Sequence, residues 1–183
     1  MSRRPAFEAA ATLLKQDPFA PEDVASVTVW TYDPATRLSG GIVTNGYAAK
    51  HSIPYNVAAR LVYGVNDLSV YTEEAVADSR IQSLVARIKV QEDPALTAML
   101  PDIRPARVEV TLNSGAVLSA LVERPRGGFD NPPTEDELLD KFRRLAGMAI
   151  SEDAVEQLIA VIPTIPGREN LDLMAGSLMG ETT

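Results

Sequence analysis

Arg107-Val108-Glu109-Val110-Thr111-Leu112 alternates polar and apolar side chains without a break, and Asn113-Ser114-Gly115 follows it directly. A period of two puts Val108, Val110 and Leu112 on one face of an extended chain and Arg107, Glu109 and Thr111 on the other. Asn-Ser-Gly is turn chemistry, so the chain should reverse there and return as a second strand that reaches Val122. A hairpin over 105–123 with one apolar face needs a second layer to cover it. The sequence on either side supplies helices for that layer.

Upstream, Val24 to Tyr32 is rich in Val, Thr, Trp and Tyr, with Val27, Val29 and Thr31 on one face, and reads as a strand that Asp33-Pro34 ends. Before it, Pro5 stands where a first helical turn tolerates it, and Ala6, Ala9, Ala10, Leu13 and Leu14 recur at helical spacing up to Asp17-Pro18. Thr72 to Ile88 reads as a further helix with Val76, Leu84, Val85 and Ile88 as its apolar contacts. Lys89 to Asp93 extends it into a short strand before Pro94. A Pro/Gly loop from Pro125 to Pro133 precedes Thr134 and Glu137, a capping box for a helix carrying Leu138, Phe142 and Leu145. Ser151 starts another helix, with Val155, Leu158, Ile159 and Ile162 at amphipathic spacing. The expectation is an α/β domain of the α+β type over residues 1–165, with a small, mainly antiparallel sheet flanked by helices. A tail over 166–183 would add one weak helix at 170–179.

Composition agrees with that class. Of 183 residues 45% are apolar but only 5% aromatic, so the core must be built from Val, Leu, Ile and Ala, which suits strands covered by helices. The formal net charge of −8 repels phosphate backbones and anionic lipid, which argues against nucleic acid and membrane partners. Any anionic ligand would need a local cluster of cations or N–H groups to overcome that field. No cysteine is present, which excludes disulfides, a thiolate nucleophile and Cys-held metal centres supplied by this chain, and the single histidine, His51, excludes a multi-histidine metal site. Glu8 and Lys15 interrupt the only signal-like apolar run, and no stretch is long and apolar enough to span a bilayer, so a cytoplasmic setting is expected.

Residues 37–49 contain Gly40, Gly41, Asn45 and Gly46 and show no sustained period, which reads as a long loop of the kind that carries function. It runs into Ala48-Ala49-Lys50-His51-Ser52-Ile53-Pro54-Tyr55, where Ser52 caps a helix that continues through Val57, Ala58, Leu61 and Val62 to Gly64. A helix N-terminus directly after a loop offers unsatisfied N–H groups to an anion. Two roles stand open for each side chain. Ser52 is either a cap alone or a cap that also holds a carboxylate. Tyr55 is either a core residue with a satisfied hydroxyl or a donor to substrate. His51 is either a general base or a solvated side chain, and Lys50, Arg3 and Arg4 either counter the acidic field or stand in water. Arg124 and Arg126 beside Gly127-Gly128 make a second candidate carboxylate holder. Glu135-Asp136 and Glu152-Asp153 are helix N-terminal charges favoured by the macrodipole.

Several blocks occur in an order that resembles the MmgE/PrpD family of 2-methylcitrate dehydratase-like enzymes. They are the Ala-rich helix before Glu22-Asp23-Val24, the segment from Ala49 to Tyr55, Thr72-Glu73-Glu74, and Arg87-Ile88-Lys89-Val90. Further on come Pro105 to Val108, Pro125 to Gly127, Asn131-Pro132, and Glu137 to Phe142 with its Lys141-Phe142 pair. The similarity covers most of residues 5–165 and resembles the C-terminal lid domain alone. It implies a two-part, usually dimeric enzyme acting on small di- or tricarboxylates without a cofactor, its site in a cleft between this domain and an all-helical half. The resemblance matches Ser52 and Tyr55 to a Ser-x-x-Tyr at the cleft, making Ser52, Tyr55, Lys50 and Arg4 the substrate-binding candidates and Tyr55 and His51 the catalytic ones. Arg4 stands where the family has a His, and most of the acid and base groups belong to the helical half. Activity is therefore expected to need a partner chain that supplies that half, docking on an apolar face of the first helix and the Ser151 helix.

Overall fold

The protein was analysed as a computed structural model, which describes residues 4–38, 43–65, 67–167 and Ala175. Two compact units divide the chain, 1–132 and 133–183. The first contains the sheet. Strands β1 (Val24–Thr31), β2 (Ile88–Glu92), β3 (Ala106–Leu112) and β4 (Val117–Val122) form one sheet in the order β2-β1-β3-β4. β1 runs parallel to β2 and antiparallel to β3, and β3 pairs antiparallel with β4. The hairpin turn is the expected one: Gly115 takes φ 87, a left-handed conformation that a glycine adopts without strain.

Alternation decides which face is buried. Val27, Val29 and Thr31 of β1 and Ala106, Val108 and Val110 of β3 are buried together with Ala120 of β4. Val24 is also buried although it is out of phase with Val27, because a register shift between Val24 and Ser26 inserts one residue against β3 and resets the alternation. Two helices cover this face, α1 (Arg4–Gln16) and α4 (Ile53–Tyr63). α1 contributes Ala6, Phe7, Ala9, Ala10 and Leu13, so its apolar side is used within the core. α4 is buried nearly all round, from Ile53 through Ala59 and at Leu61, as befits a helix enclosed by α1, the sheet and its neighbours. Its end is set by Gly64 at φ 68.

The connections differ from the sequence expectation in three places. Asp33–Thr36 forms a short helix, α2, and the end of the expected loop, residues 46–49, belongs to α3 (Gly46–His51), capped by the Asn45 side chain. Gly40 and Gly41 lie outside the described residues. The single helix expected over 72–88 is two, α5 (Glu73–Ala77) and α6 (Ser79–Val85), because Asp78 is extended and its carboxylate accepts from the Arg80 N–H at 2.8 Å, restarting the helix as an N-cap. Asp93 then caps α7 (Pro94–Thr97).

The second unit holds α8 (Glu135–Ala146) and α9 (Glu152–Val161). The capping box is present: Glu137 N–H donates to Thr134 Oγ1 at 3.3 Å and Thr134 N–H to Glu137 Oε2 at 2.8 Å. Ser151 caps α9. Arg143 pairs with Glu156 through Nε at 2.6 Å and Nη2 at 3.1 Å, joining the two helices. Apart from Ala175, the helix expected at 170–179 lies outside the described residues.

Candidate functional site

The junction of α3 and α4 is built around Ser52. Its backbone is extended, and it ends one helix as it starts the next. Its N–H donates to Ala49 O at 3.2 Å, and its Oγ accepts from Tyr55 N–H at 3.2 Å. Asn56, one turn further on, fastens the corner. Its Nδ2 donates to Ala49 O at 2.8 Å and to Ser52 O at 2.6 Å, while its Oδ1 accepts from the Tyr71 hydroxyl at 2.6 Å. A buried amide in an apolar helix must find partners, and here it finds three.

The 3-10 turn Leu68–Tyr71 straps this corner. The Tyr55 hydroxyl donates to Val70 O at 2.6 Å, and the Tyr55 and Tyr71 rings lie 6.4 Å apart, centroid to centroid. A Cβ at Gly46 would collide with the Tyr71 carbonyl oxygen, so a glycine is what lets α3 approach the strap. Burial pushes the Tyr55 hydroxyl up to about 12, with the Tyr63, Tyr71 and Asp78 charges adding to the rise, so it remains a proton donor. Nearby, the Asp78 carboxyl is held well below its ordinary range, mainly by the hydrogen bond from Arg80.

This geometry corrects the expectation of free N–H groups at the start of α4 and shows which contacts Tyr55 and Ser52 make within the domain. The N–H groups of the α4 N-terminus are not available to an anion: Ile53 N–H donates to Leu38 O at 2.9 Å, Pro54 has none, and those of Tyr55 and Asn56 go to Ser52. Tyr55 is fully buried with its hydroxyl engaged, so it cannot reach a carboxylate without the strap opening. Ser52, also buried, serves as the cap. The preceding turn is more open: Lys50 is half-buried and His51 exposed. His51 is exposed with its ring 4.8 Å from that of Tyr47, and Lys50 Nζ lies 5.6 Å from the centre of the Tyr71 ring. Arg4 is not part of this corner; its Nη1 donates to Gly127 O at 3.4 Å. Arg124 pairs with Asp130, and Arg126 donates from its N–H to Glu8 Oε2 at 2.8 Å and from Nη1 to Asn131 Oδ1 at 2.7 Å.

Asn56 and Tyr71 carry no functional expectation from the sequence, and Gly46 reads there only as a loop glycine. The one available signal was Asn56 itself, a lone amide within the apolar run from Tyr55 to Ala59, four residues after Ser52. Nothing local announces that Tyr71 is its partner.

A small α+β domain with a helix corner presenting Lys50 and His51 is thus the class of structure the chain forms. Residues 3–164 match the MmgE/PrpD C-terminal domain, and the chain belongs to the MmgE/PrpD family. Similar proteins include a 2-methylcitrate dehydratase of Cupriavidus necator, 37% identical over 169 residues, covering 84% of this chain and 34% of that protein. A mitochondrial 2-methylcitrate dehydratase of Yarrowia lipolytica is 31% identical over 147 residues (76% and 28%), and a cis-aconitate decarboxylase of Mus musculus is 23% identical over 134 residues (73% and 27%). The chain therefore spans about a quarter to a third of the length of these relatives. Among the described residues, no helix is long and apolar enough to cross a membrane.

Proposed function

We propose that this chain is the C-terminal part of a lyase acting on small di- or tricarboxylates, working with a helical half that carries most of the acid and base groups. The observation that carries this reading is the 37% identity to a 2-methylcitrate dehydratase across 84% of the chain, in a domain whose fold is intact. On this reading Lys50 and His51 face substrate, Lys50 as a cationic holder and His51 as a proton carrier, His51 being exposed and Lys50 half-buried beside it. Ser52, Asn56 and Tyr55 are positioning residues that fix that turn. The assembly is a homodimer in a reducing, cytoplasmic setting, consistent with a chain free of cysteine.

Co-expression with the helical half of the Cupriavidus necator enzyme tests the reading directly. Hydration state of 2-methylcitrate is followed by absorbance of the unsaturated product. The expected result is a stable complex with turnover that falls about a hundredfold in His51→Ala. Absence of both complex and turnover sinks the proposal. A second reading, a binding or dimerisation module without catalysis, is favoured by the internal satisfaction of Ser52 and Tyr55. It requires complex formation or self-association without turnover.

A further inference from the structure

Along the outer side of α1 lies a cleft of about 270 Å³, lined by Phe7, Ala11, Thr12 and Lys15 of that helix, Arg60 of α4, and Arg126. Its most unusual member is Arg60. The guanidinium carbon sits 5.1 Å from the centre of the Phe7 ring, and Nε is sealed from water with no acceptor. No hydrogen bond or ion pair reaches that guanidinium from any described residue. Arg60 is half-buried, and that partial burial lowers its pKa from the ordinary value with no anion among the described residues to offset it. Guanidinium groups in such settings are normally paired, because a desolvated charge is costly.

The surroundings add positive charge. Lys15 shares the cleft, and so does Arg126, whereas Glu8 is the single carboxylate on its wall. Glu8 is already engaged by the Arg126 N–H at 2.8 Å. In a chain of net charge −8 a local cationic excess around a small cavity stands against the whole-molecule field. The cavity is too small for a nucleotide or a drug-sized ligand but large enough for a few carbon atoms and two acid groups.

We propose that this α1–α4 cleft binds a small oxyanion carrying carboxylate or phosphate groups, with the Arg60 fork on one acid group, Lys15 on a second, and Phe7 and Ala11 against the carbon skeleton. The site is separate from the Ser52 corner, about two turns or roughly 12 Å along α4. It does not rest on the lyase reading.

The test titrates the full chain with succinate, citrate and inorganic phosphate while following backbone amide shifts of residues 7–15 and 58–62. Saturable shifts confined to those segments are expected. Arg60→Met, which keeps the apolar stem, should weaken binding about tenfold or more, the loss of one charge-assisted pair, and added salt should weaken it further. Ala11→Leu fills the cleft without altering a charge and should weaken binding too, which keeps the proposal testable if Arg60→Met does not fold. Succinate and citrate binding without phosphate binding assigns the site to carboxylates; equal binding of all three assigns it to oxyanions in general. No saturable shift with any of the three, or parent-like binding by folded Arg60→Met and Ala11→Leu, overturns the proposal. Loss of activity in a reconstituted lyase with these shifts intact would count against the lyase reading alone.

Discussion

Tyr55 shows how one hydroxyl ties a site to the stability of the fold. It is fully buried and donates to Val70 O, so Tyr55→Phe leaves a buried carbonyl without its donor, at a cost of about 1–3 kcal/mol in urea unfolding. Its pKa, pushed up to about 12 from the ordinary 10.0, has a defined linkage. The folded state favours the protonated hydroxyl, so the contribution is complete below the ordinary value and is lost as pH rises through the folded one. Tyrosinate absorbance on alkaline titration should therefore show a late step above the ordinary tyrosine value, and that step should vanish in Tyr55→Phe. Gly46 works by the absence of a side chain. Gly46→Ala places a methyl group against the Tyr71 carbonyl and should lower stability by about 1–3 kcal/mol through displacement of the strap. If Gly46→Ala unfolds at the parent's urea midpoint, the close approach of α3 to Leu68–Tyr71 is not a constraint on the fold.

At the scale of elements, Asp78 makes two helices where periodicity suggests one. Its carboxylate accepts from Arg80 N–H at 2.8 Å and from the Tyr63 hydroxyl at 2.9 Å, and pairs with Arg80 Nη2 at 2.7 Å. Asp78→Ala should cost about 1–2 kcal/mol, the value of a lost N-cap. Because the folded carboxyl is held below its ordinary 3.8, chiefly by the Arg80 hydrogen bond, its stabilisation is present above that value and is lost as pH falls below it. Urea midpoints of parent and Asp78→Ala should thus differ near neutrality and converge in acid; a constant gap would contradict this linkage. The break was not legible in the sequence, since an Asp inside a helical period looks like an ordinary solvated residue until its backbone is seen to turn. The 106–122 hairpin was legible because period and turn residues are both local. The parallel pairing of β1 with β2 was not, because it joins segments some sixty residues apart through the register Val27 with Ile88. The Ser52 corner divides in the same way. Its capping role could be read from the residues themselves, whereas the Asn56–Tyr71 and Tyr55–Val70 contacts each span 15 residues of sequence and depend on where the strap lands.

Across the whole molecule, burial is distributed unevenly between the two units. The first holds the continuous core formed by β1, β3, α1 and α4, whereas α8 has no buried residue, and Leu138 and Met148 are 51% and 60% exposed. Helices draw most of their stability from packed apolar faces rather than from propensity, and a helix without a buried residue depends on its caps and ion pairs. α8 has both, in the Thr134–Glu137 box and the Arg143–Glu156 pair, but exposed pairs are weak and screened by salt. Native-state hydrogen exchange should therefore release the amides of α8 well before those of Val27–Thr31 and Val57–Leu61, and added salt should widen the difference. Within the family reading, the apolar side chains that α8 leaves exposed are available to a helical half. Addition of that half should slow exchange in α8 while leaving the already protected β1 and α4 amides unchanged. Protection in α8 equal to that of β1 in the isolated chain would show that burial does not govern local stability here.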